Sequence, residues 1–182
     1  MAKTPSAARN GRLQVLKTCK MYVGGSFIRS ESGKVLPAVA ADGKTTLAQV
    51  CRASRKDFRD AVVAARKAFG KWSGMTAYLK GQILYRTAEM LEMRAGEMEL
   101  EIMRSTGVNA TAARREVADA VELLVHYAGW SDKFTAVFGS VNPVSSPHFN
   151  FTYPEATGVV VVVCPDTPSF VPLVHLVAAT IV

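Results

Sequence analysis

The sequence predicts an α/β protein, a layer of amphipathic helices joined to the opening of a parallel sheet. Three observations predict it. Residues 159–163 are five consecutive valines with no polar alternation, the pattern of a strand covered on both faces within a parallel sheet. The tight crossing Cys164-Pro165-Asp166-Thr167 comes next, and residues 170–182 then carry no charged side chain. Strand, short turn and apolar helix in that order open a doubly wound α/β unit, whose ligands bind beyond the carboxyl ends of the strands. Finally, apolar residues between positions 54 and 138 recur at three- and four-residue steps, which is helical spacing.

Composition narrows the class. An apolar content of 49% with 20% charged residues is that of a globular chain and excludes intrinsic disorder. No apolar run reaches the roughly 18–20 residues of a membrane-spanning helix, so no membrane association is expected. The net charge of +7 is concentrated at one end: Lys3, Arg9, Arg12, Lys17, Lys20, Arg29 and Lys34 face Glu31 alone within residues 1–34. Residues 1–19 read as a flexible basic arm. With no aromatic before Tyr22 and no dense basic run, the arm does not call for a nucleic-acid partner. It lacks a secretory apolar core. A cytoplasmic protein is expected, although the Arg-, Ala- and Ser-bearing arm, with no acid before Glu31, is also compatible with an organelle transit peptide. Cys19, Cys51 and Cys164 are odd in number and widely spaced, which suits a reducing compartment. They and the scattered His126, His148 and His175 show no metal-ligand spacing, so no metal site is expected.

Taken in order, residues 21–23 and 26–28 flank Gly24-Gly25, a two-residue hairpin turn needing positive φ. A second strand pair, near 36–40 and 47–51, brackets Asp42-Gly43-Lys44. These hairpins precede any helix and form a small peripheral sheet. Ser54 with Asp57 reads as a capping box opening the first helix, whose apolar face is Phe58, Ala61, Val62, Ala65, Phe69 and Trp72. Thr76 begins a second helix with Leu79, Ile83, Leu84, Met90 and Leu91 inward. Gly81 in its middle costs about 1 kcal/mol of helix propensity relative to Ala, which predicts a close approach there. A third helix spans about 97–104 and stops at Gly107. Asn109 caps the longest helix, expected to run to about Phe138 with the stripe Ala113, Val117, Ala120, Val121, Leu124 and Ala128. The methionines Met90, Met93, Met98 and Met103 read as gap-fillers, and Glu89, Glu92, Glu97, Glu99 and Glu101 as a solvated face. Residues 140–144 and 148–153 form a hairpin across Ser145-Ser146-Pro147. Phe149, Phe151 and Tyr153 alternate with polar residues and make one aromatic face, which must lie on something, since a lone hairpin is unstable in water. The final helix takes Thr167 as N-cap and Pro168 at its first position, and is expected to be buried nearly all round.

The order and spacing of these parts resemble the aldehyde dehydrogenase superfamily over residues 20–182. Tyr22-Val23-Gly24-Gly25-Ser26-Phe27 resembles its "YIGGxW/F" opening, and the helix ending in Phe69-x-x-Trp72 its first helix. Arg86 to Leu91 and the stretch through Thr106-Gly107 resemble its next helices. Pro154-x-x-x-Gly158-Val159-Val160 followed by Cys164-Pro165 resembles "P-x-G-V-V-G-x-I-x-P-W-N-F-P". Residues 17–33 and 52–57 look closest to the second half of the tandem aldehyde dehydrogenases of family sixteen, a degenerate, non-catalytic repeat.

The resemblance implies the N-terminal part of an aldehyde dehydrogenase-like fold, incomplete as given. Residues 20–139 would be the helical part of a cofactor-binding domain with its N-terminal hairpins. Residues 140–154 would be an oligomerisation hairpin that contacts a neighbour through Phe149, Phe151 and Tyr153. Residues 155–182 would be the first strand and helix of a Rossmann-like core, cut short. It implies NAD or NADP as cofactor, with Val163, Cys164, Pro165, Asp166 and Thr167 nearest to it, although binding by this chain alone is not expected. Thr167 falls where the family has the asparagine whose amide donates to the developing oxyanion; losing such a donor costs about 10²–10³ in rate. Asp166 adds a negative charge beside it. The family's nucleophilic cysteine and glutamate base match no position here, so no catalytic residue is assigned. Cys164 as a substitute nucleophile is outweighed by its reading as a core thiol on a valine strand. The expected function is therefore the N-terminal segment of an oxidoreductase that oxidises an aldehyde to a carboxylic acid with NAD(P), inactive by itself. The alternative is a non-catalytic structural or pseudoenzyme subunit. In either case the partner, reached through the hairpin, is another copy of the chain or a full-length aldehyde dehydrogenase.

Overall fold

The structure, a computed structural model, describes residues 15–166, 168 and 170–182. Two compact units divide the chain, Met1–Ala61 and Val62–Val182.

In the first unit, strands β2 (Met21–Val23) and β3 (Ser26–Ile28) form the expected hairpin, with Tyr22 opposite Phe27. Gly24 and Gly25 both adopt positive φ, 59° and 83°, the backbone that matches a two-residue turn to the strands' twist. A separate sheet has the order β1 (Thr18–Cys19), β5 (Thr46–Cys51), β4 (Val35–Val39). Its β4–β5 hairpin turns at Asp42, whose carboxylate accepts from the backbone N–H groups of Lys44 and Thr45, each at 2.8 Å, and from the Thr45 hydroxyl at 2.6 Å. Pro37 sits in β4, an edge strand, where a missing donor is tolerated. Strand β1 runs parallel to β5 with Thr18 opposite Gln49, so the stretch expected to be a flexible arm ends in sheet. A two-residue parallel pairing leaves no periodicity to read in advance. Residues 1–14 of that arm lie outside the described residues.

Helix α1 (Arg55–Ser73) opens on the predicted box. The Asp57 N–H donates to Ser54 Oγ at 3.2 Å, and the Ser54 N–H donates to Asp57 Oδ2 at 2.8 Å. The carboxylate also accepts from the Ser30 hydroxyl at 2.7 Å and the Glu31 N–H at 3.2 Å, which ties the loop after β3 to the helix start. Asp57 is only 7% exposed, and the Ser30 hydroxyl and the Ser54 N–H hold its carboxyl down at about 2, against an ordinary 3.8.

The second unit is built round helix α4 (Ala110–Trp130), which packs against α2 (Ala77–Glu92), α3 (Ala95–Thr106) and α6 (Phe170–Ile181). Thr76 caps α2 by accepting from the Leu79 N–H, and Asn109 caps α4 by accepting from the Ala112 N–H. Gly107 ends α3 with φ 76°, a left-handed C-terminal stop. The predicted stripe of α4 is the core: Ala113, Val117, Ala120 and Leu124 are buried. Leu124 meets Leu84, Ala88 and Ala178, while Ala113 and Val117 meet Ile102. The close approach expected at Gly81 is present. A Cβ there would lie 2.6 Å from Ser131 Oγ and 3.0 Å from the Ala128 carbonyl oxygen.

The longest helix breaks where continuity was expected. After Trp130 comes a turn, and α5 (Phe134–Phe138) is separate. Buried Ser131 turns its hydroxyl back to the Ala128 carbonyl at 2.8 Å, and Lys133 N–H bonds to the Trp130 carbonyl at 3.0 Å, closing a tight turn in place of the next helical turn. Strands β6 (Ser140–Asn142) and β7 (Asn150–Thr152) form the predicted hairpin.

Several expected burials differ. The run 159–163 forms no ladder, and Val160, Val161 and Val163 are exposed. A strand is defined by its neighbours, and no described strand of this chain pairs with it. Helix α6 is apolar but not enclosed: Ala178 is buried, whereas Leu173 and Val177 are exposed, because α4 and α2 cover only one side. Pro168 lies before the helix, which begins at Phe170, and the proline inside its first turn is Pro172, where no N–H is needed. On α1, Phe58 and Ala65 are exposed, and on α2 so are Leu79 and Met90. Met93 is likewise exposed, so only Met98 and Met103 fill gaps, beside Ile102.

Candidate functional site

Helix α6 and the segment leading to it carry the residues expected near a cofactor. Val163 is 85% exposed, Cys164 is a half-buried free thiol, and Pro165 and Asp166 are exposed. Thr167 lies outside the described residues. Val163, Cys164, Pro165 and Asp166 are consecutive in the stretch before α6.

What fixes α6 is a set of polar contacts that the sequence did not announce. At its start, the Phe170 N–H donates to Glu116 Oε1 of α4 at 3.2 Å. At its end, Trp72 Nε1 donates to the Ile181 carbonyl at 2.9 Å and Lys80 Nζ to the Val182 carbonyl oxygen at 3.1 Å. Midway, the Tyr127 hydroxyl and His175 Nε2 lie 3.0 Å apart. A carboxylate at the N-terminus and an ammonium at the C-terminus each complement the helix dipole. Trp72 was legible only as an apolar residue; its donor group shows its role once α6 is placed. Glu116 sits three residues from Ala113 and four from Ala120, at the border of the buried stripe, and that position was the available signal.

A cleft of about 1030 Å³ opens in the same unit, walled by Phe69, Trp72, Tyr127, Trp130, Phe134 and Tyr153. It reaches Gly158 and Val160 but not Val163–Asp166, so the open space and the predicted cofactor residues do not coincide.

On the β6–β7 hairpin, Phe149, Phe151 and Tyr153 are exposed by 74%, 61% and 65%; Phe149 and Phe151 lie together, whereas Tyr153, beyond the end of β7, lines the cleft. Phe149 and Phe151 stack with ring centroids 5.5 Å apart. Val141 lies opposite Phe151 and extends the apolar face. The other face is polar, with Asn142 Nδ2 donating to Asn150 Oδ1 at 2.8 Å and Thr152 Oγ1 at 3.1 Å. Of the five glutamates expected as a solvated face, Glu92, Glu97 and Glu101 are exposed and Glu89 and Glu99 half-buried; Glu89, Glu101 and Glu99 pair with Arg86, Arg104 and Arg114.

The sequence model of the aldehyde dehydrogenase family matches residues 27–182. The chain belongs to this family. Among its relatives is the mitochondrial benzaldehyde dehydrogenase of Antirrhinum majus, 34% identical over 143 residues, a match covering 77% of this chain and 26% of the relative. The solved aldehyde dehydrogenase of Bacillus cereus, described in an NAD⁺ complex, superposes with a TM-score of 0.69 at 29% identity, over 74% of this chain and 28% of that one. A salicylaldehyde dehydrogenase from Pseudomonas putida G7 shares the fold at a TM-score of 0.84 and 17% identity, over 92% of this chain and 34% of that one. The chain thus spans about a quarter to a third of the length of these relatives, and its α/β architecture is a partial aldehyde dehydrogenase-like fold. Among the described residues, no helix is long and apolar enough to cross a membrane.

Proposed function

We propose that this chain is a scaffold portion of an NAD(P)-dependent aldehyde dehydrogenase system, one that carries no chemistry by itself. The observation that carries the proposal is that the family match over residues 27–182 takes in the turn 163–166, whose exposed Val163, Pro165 and Asp166 lie outside the cleft. Its share is the helical layer, the hairpin and the segment that enters α6. Carried over from the family, the turn 163–167 would approach the nicotinamide end of the cofactor, with Thr167 in place of an amide donor and Asp166 adding unfavourable charge. The residues present fit this poorly: Val163, Pro165 and Asp166 face solvent outside the cleft, and none of them brings a cationic group to a phosphate. Cys164 is half-buried, consistent with a packing thiol. A bound nicotinamide cofactor would supply hydride-acceptor chemistry, and this chain's own share would be to place the turn 163–167 near it.

The exposed apolar surface favours the companion reading, that the chain works by association. Phe149, Phe151 and Val141 form one apolar face, and the exposed Tyr153, Val160, Val161 and Val163 follow in sequence. Such surface marks an interaction site, and an extended apolar segment can add to a sheet edge. The partner would be a second copy or a full-length aldehyde dehydrogenase.

Titration of the purified chain with NAD⁺ and with NADP⁺, followed by tryptophan fluorescence, tests the first part. The expected result is no saturable quenching of Trp72 and Trp130. Saturable quenching by either nucleotide would overturn it.

A further inference from the structure

We propose that Glu116 is a positioning residue for the first turn of α6, acting through the Phe170 N–H. The inference rests on the proposed function only for its significance, since the family places the chain that leads into this helix beside its cofactor. Of the acidic residues on α4, Asp119 and Glu122 are exposed, whereas Glu116 is half-buried at the edge of the apolar stripe. Its neighbours Arg114 and Arg115 pair elsewhere, with Glu99 at 3.7 Å and Asp119 at 3.9 Å. Glu116 instead accepts from the Phe170 N–H, one of the first donors of α6, which have no partner within the helix. Phe170 packs beside Ile102, Ala113 and Val117. One residue is therefore held twice, by its ring in the core and by its N–H on a carboxylate. Among the described residues the valine run pairs with no strand, and the contacts at the start of α6 come from the helical layer. The charge also suits the positive end of the helix dipole.

Cys164 reports on this placement because it is half-buried just upstream. The test is pulse alkylation of the full chain with iodoacetamide, read by peptide mass mapping, with Cys19 and Cys51 as internal controls in the other unit. Glu116→Ala is expected to raise Cys164 labelling about fivefold, the scale of losing an N-terminal capping contact. Glu116→Gln keeps an acceptor oxygen and is expected to stay within about twofold of the parent by the same reasoning. Backbone hydrogen exchange in α2 and the middle of α4 should not change. Equal labelling in Glu116→Ala and the parent would overturn the proposal. So would a glutamine variant as reactive as the alanine one, or exchange that rises throughout α2 and α4. The labelling needs neither aldehyde nor nucleotide, so an active chain would overturn the proposed function and leave this result standing.

Discussion

Replacing Gly81 by alanine pits two opposing effects against each other. In an isolated helix the change gains about 0.8–1 kcal/mol. In this protein the new Cβ would meet Ser131 Oγ at 2.6 Å and the Ala128 carbonyl oxygen at 3.0 Å. The hydroxyl cannot swing aside freely, because Ser131 is buried and bonded to the Ala128 carbonyl at 2.8 Å. Overpacking of this kind costs about 1–3 kcal/mol, and loss of the hydroxyl's bond adds about 0.5–1.5 kcal/mol. The packing terms win, leaving a net loss of about 0.5–3.5 kcal/mol. With an m-value of roughly 2 kcal/mol/M, the urea midpoint followed by helical circular dichroism should fall by about 0.3–1.8 M. In a Ser131→Ala background the atom at 2.6 Å is gone, so the cost of Gly81→Ala should shrink by at least about 0.5 kcal/mol, as expected for residues in contact. A stability gain from Gly81→Ala, or an identical cost in both backgrounds, would refute the packing of α2 against the end of α4.

Three other outcomes follow from the same structure. Leu84→Ala empties a site 1% exposed between Ala88, Leu124 and Ala178 and should cost about 2–5 kcal/mol in urea unfolding; a loss below about 1 kcal/mol would mean α6 does not close that core. Asp57 has a folded-state pKa of about 2 against an ordinary 3.8, so the unfolded chain takes up the proton more readily. Its contribution is full above about pH 4 and is lost as the pH falls through about 2; melting curves of Asp57→Asn should lack this part of the acid sensitivity, and parallel pH profiles for both proteins would count against the Ser30–Asp57–Ser54 network. Changing Phe149 and Phe151 together to serine should lower the native mass, or abolish capture of a full-length aldehyde dehydrogenase, while helical circular dichroism stays the same; unchanged association would remove the hairpin as the contact surface.

What the sequence disclosed follows the range of each interaction. Caps at Ser54–Asp57, Thr76 and Asn109 depend on three-residue spacings, and the Gly24-Gly25 turn on two adjacent glycines, so all were legible. The α4 stripe was legible because a helix repeats its buried face. The valine run misled on its surroundings: composition reports that both faces are apolar, but pairing depends on another strand. Continuity past Trp130 misled for a related reason, since the Ser131 turn is made by local hydrogen bonds that leave the apolar spacing intact. The candidate site was least legible. Glu116, Trp72 and Lys80 act on α6 across 54, 109 and 102 positions, and no local pattern couples such distant residues.

The central claim is that this member of the aldehyde dehydrogenase family supplies scaffold and not chemistry. The direct measurement is the rate of reduced nicotinamide formation by the purified chain, with NAD⁺ and with NADP⁺, over a panel of aliphatic and aromatic aldehydes, beside its Cys164→Ala variant. The expected result is a rate no higher than that without protein, and the same for both forms. Turnover by the parent that Cys164→Ala abolishes would contradict it and make Cys164 a nucleophile.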